Sequence, residues 1–169
     1  MTSGAASTVR AIGRGHFTGT YPAVPDVVPM LRRALAELAA DAGAAREQVD
    51  AVRLVVSEAV TNVVLHAYPD RLGPVHVSAD LAGAELWVIV ADDGRGLCPG
   101  ADSRGLGMGL ALIADLSDDF AIVTRSSGGI EVRMRFNVDV GPSRPHGGQP
   151  RGSDASARTA AGPVFSTIT

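Results

Sequence analysis

Over residues 46–67 the apolar side chains Val52, Val55, Val56, Ala59, Val60, Val63 and Val64 recur every three or four positions. This spacing predicts a long helix buried on nearly every side. Pro69 ends it, because the residue before a proline is pushed out of the helical region. Leu31, Leu35 and Leu38 predict an earlier helix that opens after Asp26, a candidate N-cap, tolerates Pro29 in its first turn and stops at Gly43. Elsewhere the period is two. Val75, Val77, Ala79 and Leu81 alternate with polar or small residues, Ala82-Gly83 turns the chain, and 86–91 returns as a continuous apolar run, which together predict a hairpin. Further strands are expected over 15–21, 120–124 and 130–138, the last two flanking a turn over 125–129. A glycine-rich loop over 92–109 leads into a short helix ending near Leu116. This order predicts an α/β protein: a two-layer sandwich with helices on one face of a mixed, mainly antiparallel sheet.

The pattern divides the chain into three parts. A domain is expected over 15–140, preceded by a flexible stretch over 1–14. From Gly141 onward a Gly-, Pro-, Ser- and Arg-rich run shows neither period and predicts a disordered tail over 141–169. The 169 residues are 46% hydrophobic but only 4% aromatic, so the core is aliphatic and a base-stacking nucleic-acid platform is not expected. A net charge of −3 agrees with that. All 15 Lys and Arg residues are Arg, which excludes a P-loop lysine. The single Cys98 excludes an intrachain disulfide and a thiolate-rich zinc cage and suggests a reducing compartment. No apolar run has the roughly 18 residues of a membrane span, and the start lacks a secretion signal's apolar segment, so a cytoplasmic protein is expected.

Three places carry candidate chemistry. Glu58, Asn62 and His66 are spaced i, i+4, i+8 on the long apolar helix, a stripe that drifts about 40° per step. Unpaired polar groups in a dry interior cost several kcal/mol, so the stripe lines either a polar cavity or a solvated face. Asp92-Asp93-Gly94-Arg95-Gly96 follows the buried strand and places a carboxylate where backbone can approach a ligand, although a plain turn has the same spelling. Gly105, Gly107 and Gly109 lead into a helix whose N–H groups could hold an anion without lysine, with Arg104 just before them; a hinge is the other reading.

In this fixed order, Glu58-x3-Asn62-x3-His66-x-Tyr68, Asp92-x-Gly94-x-Gly96 and Gly105-x-Gly107-x-Gly109 resemble the GHKL ATPase superfamily, specifically its anti-sigma-factor serine/threonine kinases. Tyr21-Pro22-Ala23-Val24-Pro25 is similar to the same branch, and the likeness covers about Thr20 to Phe136. The resemblance implies the Bergerat ATP-binding fold, with ATP and Mg2+ bound. It implies that Asn62 is the magnesium ligand, Glu58 the general base, and Asp92 the acceptor for the adenine amino group. Gly94 and Gly96 would pass beneath the base, and Gly105, Gly107 and Gly109 would close the phosphate side. Arg104 would reach the γ-phosphate, and His66 would either border the phosphates or serve structure alone. The implied partners are an antagonist protein phosphorylated on Ser or Thr and a sigma factor, with no direct nucleic-acid or membrane contact. A homodimer is a further expectation of the family. A non-catalytic, nucleotide-gated binding protein that sequesters a sigma factor is the alternative.

Two positions depart from the branch. Its usual Gly-Thr pair before the last strand reads Gly129-Ile130 here, which predicts adenine recognition weaker by about one hydrogen bond, roughly 0.5–1.5 kcal/mol. The segment between Gly96 and Gly105 is short, which predicts a small lid. No phospho-acceptor helix pair is present, so an autophosphorylating sensor kinase is not expected.

Overall fold

The computed structural model describes residues 8–11, 15–96 and 103–138. Its strands are β1 (Thr8–Ala11), β2 (His16–Pro22), β3 (Pro74–Ala82), β4 (Glu85–Asp92), β5 (Asp119–Thr124) and β6 (Ile130–Asn137), in the sheet order β1-β2-β3-β4-β6-β5. Every described pairing is antiparallel. The helices are α1 (Val27–Asp41), α2 (Arg46–Asn62) and α3 (Ser103–Leu116), and α2 packs against both of the others. The two-layer α/β sandwich expected from the pattern is the fold.

Register decides which strand side chains meet the helices. Val77 lies opposite Val90, Ala79 opposite Val88, and Val88 opposite Met134, so these residues share one face. Leu31 and Leu35 of α1 and Val52, Val55, Val56 and Val60 of α2 cover that face in one continuous core. Each fully buried aliphatic side chain contributes roughly 1.5–3 kcal/mol. The other face carries Glu85, Glu131, Arg133 and Arg135, with Arg133 paired to Glu131 and Arg135 to Glu85. The β3–β4 hairpin closes through Gly83, whose φ of 64° suits a two-residue turn.

Four local outcomes differ from the pattern. Part of the stretch expected to be flexible, Thr8–Ala11, forms a strand, with Thr8 opposite Thr20 and Ala11 opposite Phe17. Four residues are too few to show a period, and their order comes from β2's backbone. Asp26 stands before α1 but makes no side-chain cap. The carbonyls of Val24 and Pro25 accept instead from the amides of Val27 and Val28. The long helix stays α-helical only to Asn62, and Val63–Ala67 forms a π-helical turn. Helix α3 begins at Ser103, so Gly105, Gly107 and Gly109 lie inside its first two turns rather than in the loop before it. Glycine costs about 1 kcal/mol per position in a helix, so packing against α2 overrides local preference here. The tail over 141–169 and the segment over 97–102 lie outside the described residues.

Among the described residues no helix is long and apolar enough to cross a membrane. Leu86 is fully buried on β4, hydrogen-bonded between β3 and β6. Leu86→Ala is therefore expected to lose about 2–5 kcal/mol in urea unfolding without a change of fold.

Candidate nucleotide site

Helix α2 brings Glu58 and Asn62 onto adjacent turns of one side, and that side faces α3. A Cβ on Gly109 would lie 2.7 Å from Glu58 Oε2 and 3.6 Å from Asn62 Nδ2. The first and third sequence patterns therefore meet, and Gly109 has no side chain because the Glu58 carboxylate occupies that space. Asn62 Nδ2 is buried and has no hydrogen-bond partner among the described residues. An unsatisfied buried amide costs about 1–3 kcal/mol. A polar ligand at this place would remove that cost.

His66 falls within the π-helical turn, so the stripe that joins Glu58 to Asn62 is underwound before it reaches His66. The same turn ends where the second pattern begins. Ala67 O accepts from the backbone N–H of Arg95 at 3.1 Å. A Cβ on Gly94 would come within 2.3 Å of that carbonyl oxygen, so only glycine permits the approach. Gly96 has φ 73° and lies under the Gly128 carbonyl. An open pocket of about 260 Å³ lies between the 67–71 segment and Gly94-Arg95, beside the second pattern rather than beside Glu58. Gly105 and Gly107 lie on α3 near its N-terminal end, and Arg104 belongs to its first turn with its side chain outside the described residues.

Asp92 ends β4 on the helix-covered face, opposite Val75, and is only 2% exposed. Burial pushes its carboxyl above the ordinary carboxylate range. Backbone N–H groups of Gly94 and Ile130 oppose the rise, Asp93 adds to it, and Arg125 counters it. The Gly94 bond to Oδ1 measures 2.7 Å. Ile130 thus supplies through its backbone a bond that its side chain cannot. A Cβ on Gly129 would sit 1.9 Å from Asp92 O, so the β5–β6 turn is pressed directly onto this strand end.

Asp93, absent from the sequence-based candidates, points to the opposite face, as alternation along a strand requires. Its Oδ2 lies 2.9 Å from His76 Nε2, and its Oδ1 accepts from Ser127 Oγ at 3.0 Å with Arg125 Nη1 at 3.4 Å. Burial alone would raise its carboxyl, but the bonds from His76 and Ser127 and the charges of His76 and Arg125 outweigh it and hold the group below the usual value. Tyr68 OH accepts the Asp93 backbone N–H at 2.8 Å and donates to Pro74 O at 2.6 Å. The only hint of this network in the sequence is the doubled acid, since His76, Arg125 and Ser127 are dispersed along the chain.

This fold, with polar groups gathered where α2 faces α3 and at the end of β4, is that of an ATPase-type domain. The chain belongs to the histidine kinase-like ATPase domain family, whose profile matches residues 21–136, more than half of it. It is 32% identical over 141 residues to the serine-protein kinase RsbW of Bacillus licheniformis, an alignment covering 71% of this chain and 87% of the relative. It is 27% identical over 115 residues to the anti-sigma F factor of Clostridium acetobutylicum, covering 62% of this chain and 80% of the relative. Among solved structures, the RsbU and RsbW domains of Rv1364c from Mycobacterium tuberculosis align with a TM-score of 0.58 and 26% identity. That match covers 73% of this chain and 32% of the other, so this chain spans about a third of that polypeptide.

The two neighbouring acids have opposite pH linkage. Asp92 has a raised folded pKa, so its ionised form costs stability, and that cost disappears as falling pH protonates it. Asp93 has a lowered folded pKa, so its contribution is present above the unfolded value and is lost only as pH falls through the depressed one. At neutral pH, nucleotide-free Asp92→Asn is expected to be at least as stable as the parent, and Asp93→Asn less stable. Urea unfolding at neutral pH and again near pH 4 should show the Asp92→Asn advantage shrinking on acidification.

Proposed function

We propose that this chain is an ATP-dependent protein serine/threonine kinase of the anti-sigma-factor kind. It transfers the ATP γ-phosphate to a Ser or Thr of a small antagonist protein and binds a sigma factor in the same partner switch. The observation that carries this reading is the meeting of Glu58 and Asn62 over Gly109, with the Asn62 amide buried and unpaired. A base and an amide one turn apart suit phosphoryl transfer, which rests on positioning and charge stabilisation more than on covalent chemistry.

In this reading Glu58 takes the proton of the attacking hydroxyl, and Asp92 accepts a hydrogen bond from the adenine amino group. Gly94 and Gly96 carry the strand end past the base. Gly105 lies in the first turn of α3, where free N–H groups and the helix dipole favour anions, and Gly107 and Gly109 on the next turn keep side chains away from that approach. Arg104 supplies a guanidinium for the terminal phosphate, and His66 is a polar group on the π-helical turn that follows α2. Among the described residues no group of three or more His, Cys, Asp or Glu could hold a metal. A magnesium ion would be held by the Asn62 amide oxygen together with phosphate and water oxygens, while the Asn62 Nδ2 group, unpaired among the described residues, would donate to one of those oxygens. When bound, the ion supplies charge neutralisation on the phosphates.

Glu58→Ala should abolish transfer of labelled γ-phosphate to the antagonist while calorimetric ATP affinity changes less than about threefold. Asp92→Asn should instead lose most ATP binding; equal heats from parent and variant would remove Asp92 from the site. Sigma-factor retention without any phosphorylated antagonist, in a protein that binds ATP, would overturn the kinase reading. Gly109→Ala should lower transfer severalfold with little change in unfolding midpoint, because the added methyl displaces only the mobile end of Glu58.

A further inference from the structure

The face of the sheet that no described helix covers holds a cluster for which the proposed chemistry has no use. Asp93 lies at its centre. His76 reaches it from β3, with its other ring nitrogen 3.0 Å from Thr20 Oγ1 on β2. Ser127 and Arg125 reach it from the β5–β6 turn. The His76 and Arg125 side chains are only 14% and 12% exposed, so these contacts are shielded from bulk water, where they hold geometry better than surface pairs do.

What the cluster joins is informative. The β4–β6 ladder stops at Ala91 opposite Glu131, and the β3–β4 ladder at Asp92 opposite Val75. Beyond those points β4 leaves the sheet, and Asp92 sits on the last paired residue. Arg125 Nη1 also approaches the Asp92 carbonyl at 3.4 Å, and Arg71 Nη2 the Asp93 carbonyl at 3.3 Å. The β5–β6 turn tied down by Ser127 and Arg125 is the one that presses Gly129 onto Asp92 and delivers the Ile130 N–H to its carboxylate. Two consecutive acids thus point to opposite faces, one into the site and one into the structure that fixes it.

We propose that Asp93 is a positioning residue for base recognition: by binding His76, Arg125 and Ser127 on the open face, it fixes the strand end and turn that aim the Asp92 carboxylate at the purine 6-position. The inference rests on the ATP reading above. Its consequence is selective. A loosened Asp92 loses the advantage of an amino group over a carbonyl at the 6-position, so ATP binding weakens while GTP binding changes little. Groups acting on the phosphates are untouched, so turnover at saturating ATP is retained.

The test is calorimetric titration of ATP and GTP, each with Mg2+, into the full chain and into Asp93→Ala and Asp93→Asn, well below each variant's unfolding midpoint. Asp93→Ala should bind ATP about tenfold more weakly, equivalent to roughly 1.4 kcal/mol, with a reduced preference over GTP and kcat within about twofold of the parent. Asp93→Asn, which still accepts from Ser127, should recover part of the loss. Parental ATP affinity in Asp93→Ala, or an equal loss for both nucleotides, overturns the proposal and leaves the kinase reading standing. A parent chain that binds no ATP overturns both. Should Asp93→Ala not fold, Ser127→Ala removes one bond to the same oxygen and must show the same ATP-selective loss in smaller measure.

Discussion

The candidate site depends on keeping an ionisable carboxyl buried at the end of a strand, held mainly by backbone N–H groups. Asp92 is almost wholly removed from water, and burial raises its pKa more than any neighbour lowers it. Backbone N–H groups from Gly94 and Ile130 provide the direct compensation. Both require unusually close backbone packing: Gly94 lies on the Ala67 carbonyl and Gly129 on Asp92 itself. Neither residue can carry a Cβ without moving backbone. The Ile130 departure acquires a narrower meaning in this setting. Asp92 keeps a donor from that position, so the missing hydroxyl does not leave the carboxylate unsatisfied.

A second tension sits on the other side of α2. Asn62 holds a buried amide nitrogen with no partner among the described residues, and Glu58 projects into the space left by Gly109. A helix selected for stability alone would carry aliphatic residues at both places, as it does at Val56, Ala59 and Val60 nearby. Buried polar groups retained at a cost to the fold are what a binding site for a charged ligand requires. The π-helical turn after Asn62 belongs to the same arrangement, because its end exposes the Ala67 carbonyl to Arg95 N–H and so joins α2 to the Asp92 loop.

Most of the architecture was legible in the sequence because it follows from period. The valine repeat of α2, the alternation in β3 and the turn at Gly83 each have one economical solution, and the strand and helix order leaves few topologies. What escaped the pattern was set by distant partners. Thr8–Ala11 becomes a strand only because β2 offers it an edge. Gly105, Gly107 and Gly109 read locally as a loop, yet lie in α3 because α2 accepts a helix there. The change from α to π hydrogen bonding within 63–67 leaves no mark in a run of Val, Leu, His and Ala. The candidate residues Glu58, Asn62 and Asp92 stood out by type and spacing, whereas His76, Arg125 and Ser127 did not, since nothing in linear order relates them to Asp93.

Alternation along β4 connects these observations. Because side chains on a strand change face at every residue, a doubled acid at a strand end is divided between two environments. The same backbone carries one carboxyl raised by burial and another lowered by its partners. Their stability effects at neutral pH oppose each other: Asp92 costs the fold and Asp93 supports it. A single strand end can therefore carry two acids whose linkage to pH runs in opposite directions. The face that no described helix covers thus carries a partly shielded network of His76, Asp93 and Arg125 at the same strand end.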